Sequence, residues 1–343
     1  MATSPRRSER ISELTLVVPG LLPVLDLNFQ GAARLARLLA RARRHPPLDR
    51  DPDRLLFQLC GVEPGEAPPV APVSLLGEGE DPGGAYWLRA DPVQLEADQA
   101  QVFLLGNRHL ALDAGESRRL VAELDAHLRE EGCALRAPHP RRWYLRLPEP
   151  ADLRTHPPAA ALGHAIHDFQ PEGADRARWQ RVATELQMLL HASPVSAGRE
   201  ARGLPAPNSL WLWGGGALPP SHPSLWDGIR GGGPLLHGLA RLTGTPWAGT
   251  PGSAAEWLAQ TGDGRHLVVL DGVGDAARYG DRSAWVPAVE ALLRDWLEPI
   301  AAALSADGPS RLWLLSGAGQ RVELTRRLLW RWWRRPRALE TWR

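Results

Sequence analysis

Ser193 to Gly216 reads SPVSAGREARGLPAPNSLWLWGGG, and this stretch decides the fold class. It leaves a helix, crosses a polar loop and enters a strand of large apolar residues, Leu210 to Trp213, that stops at three glycines. A continuous apolar run bounded by turn residues fits a strand buried within an α/β protein. Ligands gather beyond the carboxyl ends of such strands, where backbone without Cβ atoms allows close approach. Gly214, Gly215 and Gly216 are therefore candidate ligand-binding positions, with Asn208 and Trp213 beside them. A second glycine run, Gly231 to Gly233, precedes a helix starting near Pro234. The two runs bracket a loop suited to an anion, with Arg199, Arg202 and Arg230 able to supply charge. The alternative is that the glycines serve only close chain packing.

Outward from this stretch the chain alternates. A helix is expected over 174–191, and after the strand come helices at 235–242 and 253–261. A strand at 266–271, a long amphipathic helix at 284–304, a strand at 312–315 and a final helix at 321–333 follow. This order implies a three-layer α/β fold, a mostly parallel sheet with helices on both faces. Towards the N-terminus, Leu14–Val18 reads as a buried parallel strand and Ala32–Arg43 as an amphipathic helix. Residues 61–84, rich in Pro, Gly and Glu, read as a long loop. Strands are expected at 86–90 and 102–105. Asp113 and Glu116 form a capping box for a helix that stops at Gly132. The runs 133–136 and 142–147 suggest an antiparallel pair in the first half. Residues 1–12 read as a disordered lead and 13–343 as a single domain, with the Pro-rich 148–158 as a possible internal boundary.

The chain has 343 residues, 43% hydrophobic and 23% charged, which suits a globular protein. A net charge of +1 supplies no global field for nucleic acid or an acidic membrane, so neither is an expected partner. Every basic residue is Arg, which excludes lysine Schiff-base and P-loop chemistry. Cys60 and Cys133 are the only cysteines and lack metal-ligand spacing; a reduced, cytoplasmic protein is the expectation. The run LTLVVPGLLPVLDL is broken by Pro19, Gly20 and Pro23, so it reads as strand and turn rather than signal peptide.

Four separate segments resemble the archaeal-type cofactor-independent phosphoglycerate mutases of the alkaline-phosphatase-like superfamily. They are Ser193-Pro194-Val195-Ser196 running on to Trp211–Gly216; Leu236-His237-Gly238-Leu239; Thr250-Pro251-Gly252-Ser253; and the strand 266–270 followed by the loop Gly274–Asp281. Together they span about half the chain. TELQMLLHASP, NSLWLWGGG, RADPVQL (Arg89–Leu95) and Trp143-Tyr144 make the whole chain similar to a bacterial offshoot, the RpfE-type regulatory proteins.

That resemblance implies metal-assisted phosphoryl transfer, with two divalent ions about 4 Å apart clamping phosphate against a Ser or Thr nucleophile. Asp and His must hold such ions. The positions that match the family's ligands carry other residues. Gly274 stands for a ligand Asp and Arg278 for a ligand His; Gly317-Ala318 replace a late Asp-His pair; Val17-Val18-Pro19-Gly20 carries no carboxylate. His237 stands where the family has a substrate-contacting Lys. The remaining candidates are Ser74 as nucleophile, His237 as a catalytic or binding group, and Asp271, Asp275 and Asp281 as cation ligands. Against the last three stands ordinary turn and cap chemistry.

The expectation is therefore a non-catalytic, mutase-like protein with a regulatory role, binding a small anion or a protein partner and needing no cofactor. An active mutase or related phosphotransferase with rearranged ligands, using Mn, Mg or Zn, is the first alternative. The second is a nucleic-acid-binding regulator using WRWWRRPR (Trp330–Arg337). On a helix, Leu324, Leu328 and Trp332 would form one buried stripe, which favours burial of that segment over binding.

Overall fold

The computed structural model describes residues 13–22, 27–98, 101–306 and 308–342; the expected lead, 1–12, lies outside them. Strands in chain order are β1 (Glu13–Val17), β2 (Arg43–His45), β3 (Tyr86–Asp98), β4 (Gln101–Gly106), β5 (Ala134–His139), β6 (Arg142–Leu147), β7 (Ser209–Gly216), β8 (Gly228–Arg230), β9 (Trp247–Ala248), β10 (Arg265–Val269), β11 (Arg311–Leu315) and β12 (Arg321–Thr325). The fold is α/β, as the alternation requires. The chain divides into two compact units: one of residues up to Gly61, His222–Gly232 and from Thr243 on, the other of Val62–Ser221 and Gly233–Leu242.

The first unit is built on a seven-stranded sheet in the order β2-β12-β11-β1-β10-β8-β9. The five strands from β11 to β9 run parallel, and β12 and β2 add antiparallel at one edge. Leu14, Thr15, Leu16 and Val17 are all buried, so β1 is covered on both faces, as a central parallel strand must be. Helices Ala32–Arg41, Ala254–Gln260 and Arg282–Leu292 contribute Leu35, Leu39, Trp257, Trp285 and Val289 to the core around Leu14, Leu16, Val268 and Leu314. Burial of each of these Leu and Val side chains is worth roughly 1.5–3 kcal/mol. The long helix expected over 284–304 is present in three parts. Arg282–Leu292 passes through a π turn at Leu293–Leu297 and continues as Glu298–Ser305. Pro299 has no N–H to donate, and the wide turn just before it accommodates the lost ladder bond.

The second unit holds a five-stranded antiparallel sheet. β3 pairs along one side with β7, and along the other with β6 and then β4. Pro92 falls where β6 has ended and β4 has not begun, so proline sits inside a long strand without breaking a ladder. Asp113 and Glu116 form the expected capping box on Ala114–Leu128. The Pro-rich 148–158 lies within this unit.

Three expectations are corrected. The strand that ends in Gly214–Gly216 is β7, antiparallel to β3 in the second unit, so it is not a member of the parallel sheet and its glycines do not lie at that sheet's carboxyl edge. Residues 61–84 are not a plain loop: Val70–Gly77 is a helix with seven of its eight residues buried. Residues 321–333 are not one helix: Arg321–Thr325 is β12, antiparallel to β11, and only Arg326–Leu329 is helical. The intervening SGAGQ is a hairpin loop whose Gly317 and Gly319 take φ of +75° and +90°. Among the described residues no helix is long and apolar enough to cross a membrane.

Candidate functional site

The parallel strands β1, β10 and β11 end side by side. Val18 N donates to Leu315 O at 2.8 Å and Leu270 N to Val17 O at 2.9 Å, so the pairing continues one residue past each strand. This crest is where the resemblance would put two metal ions. Its loops instead pack directly on one another. A methyl group on Gly20 would lie 2.6 Å from Ala277 Cβ and 3.1 Å from Gly274 Cα. One on Gly317 would lie 2.7 Å from Pro19 Cα, and one on Gly274 3.2 Å from Pro19 Cβ. Trp285 Nε1 donates to Gly20 O at 2.9 Å and holds the first loop down. Glycine is thus needed at these positions for space, and a longer ligating side chain would meet backbone.

The three carboxylates near β10 have separate duties. Asp281 caps Arg282–Leu292, accepting from Ser283 Oγ at 2.6 Å and Ala284 N at 3.0 Å, and these bonds, the first most of all, hold its pKa down. Asp275 pairs with Arg278, the residue at the family's histidine position. Asp271 keeps an edge open to solvent; the protein around it pushes its carboxyl upward by desolvation, Arg278 pulls it down and Asp275 adds to the rise. A guanidinium rather than a metal ion balances this loop, and it would repel a metal. Among the described residues no three His, Cys, Asp or Glu gather as a metal site. The residues present do not fit a two-metal centre.

Ser74 is buried inside Val70–Gly77 rather than exposed in a turn, and its Oγ has no hydrogen-bond partner, so it offers no accessible nucleophile. His237 is half-buried in the first turn of Pro234–Thr243, its N–H donating to Gly233 O at 3.3 Å. Its neighbour Gly238 lets that helix touch Val70–Gly77: a Cβ there would lie 1.8 Å from Val73 O.

The glycine triplet lies within β7, against Val70–Gly77 and its approach. Added methyls on Gly214, Gly215 and Gly216 would lie 2.9 Å from Val70 Cβ, 2.6 Å from Leu88 Cδ2 and 2.5 Å from Pro69 Cβ. Close packing occupies all three. Asn208 grips the backbone of Leu95 twice, at 2.8 Å each, locking the entry of β7 to β3. Trp213 Nε1 donates to Asp91 Oδ2 at 2.9 Å. Asp91 also accepts from Arg89 at 2.6 Å, whose guanidinium lies 4.9 Å from the Tyr144 ring centroid and 5.2 Å from that of Trp213. This buried pair within RADPVQL was visible in the sequence only as two charges in an apolar strand.

Arg199 and Arg202 are committed elsewhere. Arg199, 2% exposed, donates to Glu116, to Leu110 O and, at 2.8 Å, to Pro205 O. Arg202 reaches the other Glu116 oxygen at 2.7 Å. Burial tends to raise the Glu116 pKa, but the bonds from Arg202 and Asp113 N–H and the charge of Arg199 hold it below the usual range. Arg230 lines a cleft of about 320 Å³ with Asp227, Trp247 and His266. Sequence reasoning missed a further cleft of about 370 Å³ in the second unit, lined by Leu95, Phe169, Trp179, Gln187 and Trp211. Its trace in the sequence is the Gln180, Thr184, Gln187 spacing, one face of the Arg176–Ala192 helix.

No family model matches the chain, and no curated protein matches it. Among solved structures, the PH0037 protein from Pyrococcus horikoshii superposes with a TM-score of 0.52 at 14% identity, over 92% of this chain and 86% of that one. A cofactor-independent phosphoglycerate mutase from Thermoplasma acidophilum superposes with a TM-score of 0.44 at 19% identity, over 92% and 90%. The likeness to the Pyrococcus protein shows a shared fold.

Proposed function

We propose that this chain is a non-catalytic, phosphoglycerate-mutase-like protein of the alkaline-phosphatase-like superfamily, akin to the RpfE-type regulators. Its role is regulatory, exerted by binding a small anion or a protein partner in the cytoplasm. The observation that carries the reading is the crest: Gly20 packs on Gly274 and Ala277, and Gly274 and Gly317 both pack on Pro19, which leaves little room where ligands would hold metal. Arg278, paired with Asp275, supports it by supplying positive charge from the protein itself. Two buried thiols, Cys60 and Cys133, suit a reducing compartment. Retained architecture is no argument for retained activity.

The test is mutase and phosphatase assay of the purified chain with Mn²⁺, Mg²⁺ and Zn²⁺, with metal content measured on the same sample. The reading expects no turnover above a heat-treated control. Turnover that tracks bound metal would establish the active phosphotransferase instead.

A further inference from the structure

The C-terminal segment excluded from the core forms a surface of its own in the first unit. Trp330, Trp332 and Trp333 are 68%, 76% and 64% exposed, although Leu328 and Leu329 just before them are buried. The stripe expected on one helix is broken because the helix ends at Leu329. The arginines interleaved with these tryptophans, Arg331 and Arg334, line a cleft of about 840 Å³ together with Arg43, Arg44, Arg335 and Arg337. Two of these form an anchored base. Arg44 stacks 3.9 Å from the Trp342 ring centroid and donates to Thr341 O at 2.7 Å, and Arg43 lies 3.6 Å from Glu323. Arg331, Arg334, Arg335 and Arg337 have no carboxylate partner among the described residues.

We propose that this surface binds single-stranded nucleic acid. A net charge of +1 argues against binding over the whole molecule, but the charge that matters is local, and here six guanidiniums converge on one concavity. Concavity suits a chain of phosphates better than a flat bilayer, which calls for a protruding amphipathic face. Trp330, Trp332 and Trp333, exposed and interleaved in sequence with the cleft's Arg331 and Arg334, supply rings for unpaired bases to stack on, and arginine adds cation–π contact. Recognition is through phosphate and base faces, so it is tolerant of sequence. The proposal does not depend on the non-catalytic reading above, and either can fail alone.

The experiment is fluorescence anisotropy of a labelled 20-nucleotide thymidine or uridine oligomer titrated with the full chain. Four phosphate contacts predict a log–log salt slope of roughly −3, about a 50-fold loss of affinity between 50 and 200 mM salt. Arg334→Ala/Arg335→Ala/Arg337→Ala should cut the slope to about −1. Trp332→Ala/Trp333→Ala should weaken binding at least about fivefold with the slope unchanged. All five residues are exposed, so a circular dichroism melt matching wild type is expected and checks the fold. Absence of binding at 50 mM salt overturns the proposal. So does binding indifferent to either variant, and so does binding to phosphatidylserine vesicles without binding to the oligomer.

Discussion

Three glycines of the first unit make a graded test of whether the crest is closed. Gly272 has nothing within 4 Å of an added methyl and no positive φ. Gly280 has the same open space but φ of +64°. Gly317 combines φ of +75° with a methyl position 2.7 Å from Pro19 Cα. Alanine at Gly272 should be neutral, or stabilising by up to about 1 kcal/mol through the unfolded chain. At Gly280 it should cost the left-handed penalty alone, roughly 1–2 kcal/mol. At Gly317 overpacking against backbone adds about 1–3 kcal/mol, for a total of roughly 2–5 kcal/mol. Urea unfolding reads the series, with an unchanged m-value showing that one cooperative unit is followed throughout. If Gly317→Ala costs no more than Gly280→Ala, the loops part without penalty and the crest is not closed.

Glu116→Gln should destabilise the second unit by about 3–5 kcal/mol, because Arg199 is left buried without its counter-charge. The Glu116 pKa is lowered by folding, so its contribution is fully present above the ordinary carboxylate range near pH 4 and is lost as pH falls through the lower folded value. A urea series from pH 7 to pH 3 should therefore show the wild-type advantage shrinking towards the acid end. Asp271 behaves oppositely: its pKa is raised, so its charge costs stability once pH exceeds that raised value and costs nothing below the ordinary range. Asp271→Asn should raise Tm at pH 7 and leave it unchanged at pH 3, by a small amount given the side chain's open edge. Burial pushes the Cys60 thiol up to about 12, so this residue should be silent to a thiol reagent at pH 8 until the protein unfolds.

Much of the first unit was legible because its signals are local. The run Leu14–Val18, the cap at Asp281 and the helix expected at 253–261 each declare an element by its own residues, and all three stand in the structure. The helix Val70–Gly77 was hidden because VAPVSLLG is apolar on every face and so lacks a 3.6-residue period. It is a helix because tertiary packing buries all of it but Leu76, Gly77 lying against the carbonyl of Pro234. RVELT fits either a strand or the start of a helix, and the SGAGQ hairpin resolves it as β12. β2 was missed because Arg43-Arg44-His45 reads as a charged surface. Glu323 on β12 holds it, with His45 Nε2 at 3.0 Å. The candidate site divides in the same way. Ligand positions could be read as absent one by one from sequence, whereas what fills their place, loop against loop, needed the third dimension.

Mn²⁺ titration followed by electron paramagnetic resonance tests most directly whether the crest of the parallel sheet can take two cations. With equimolar protein at neutral pH, the six-line signal of free Mn²⁺ should keep its full intensity. Loss of signal saturating at two equivalents per chain, and abolished by Asp271→Asn, would contradict the account.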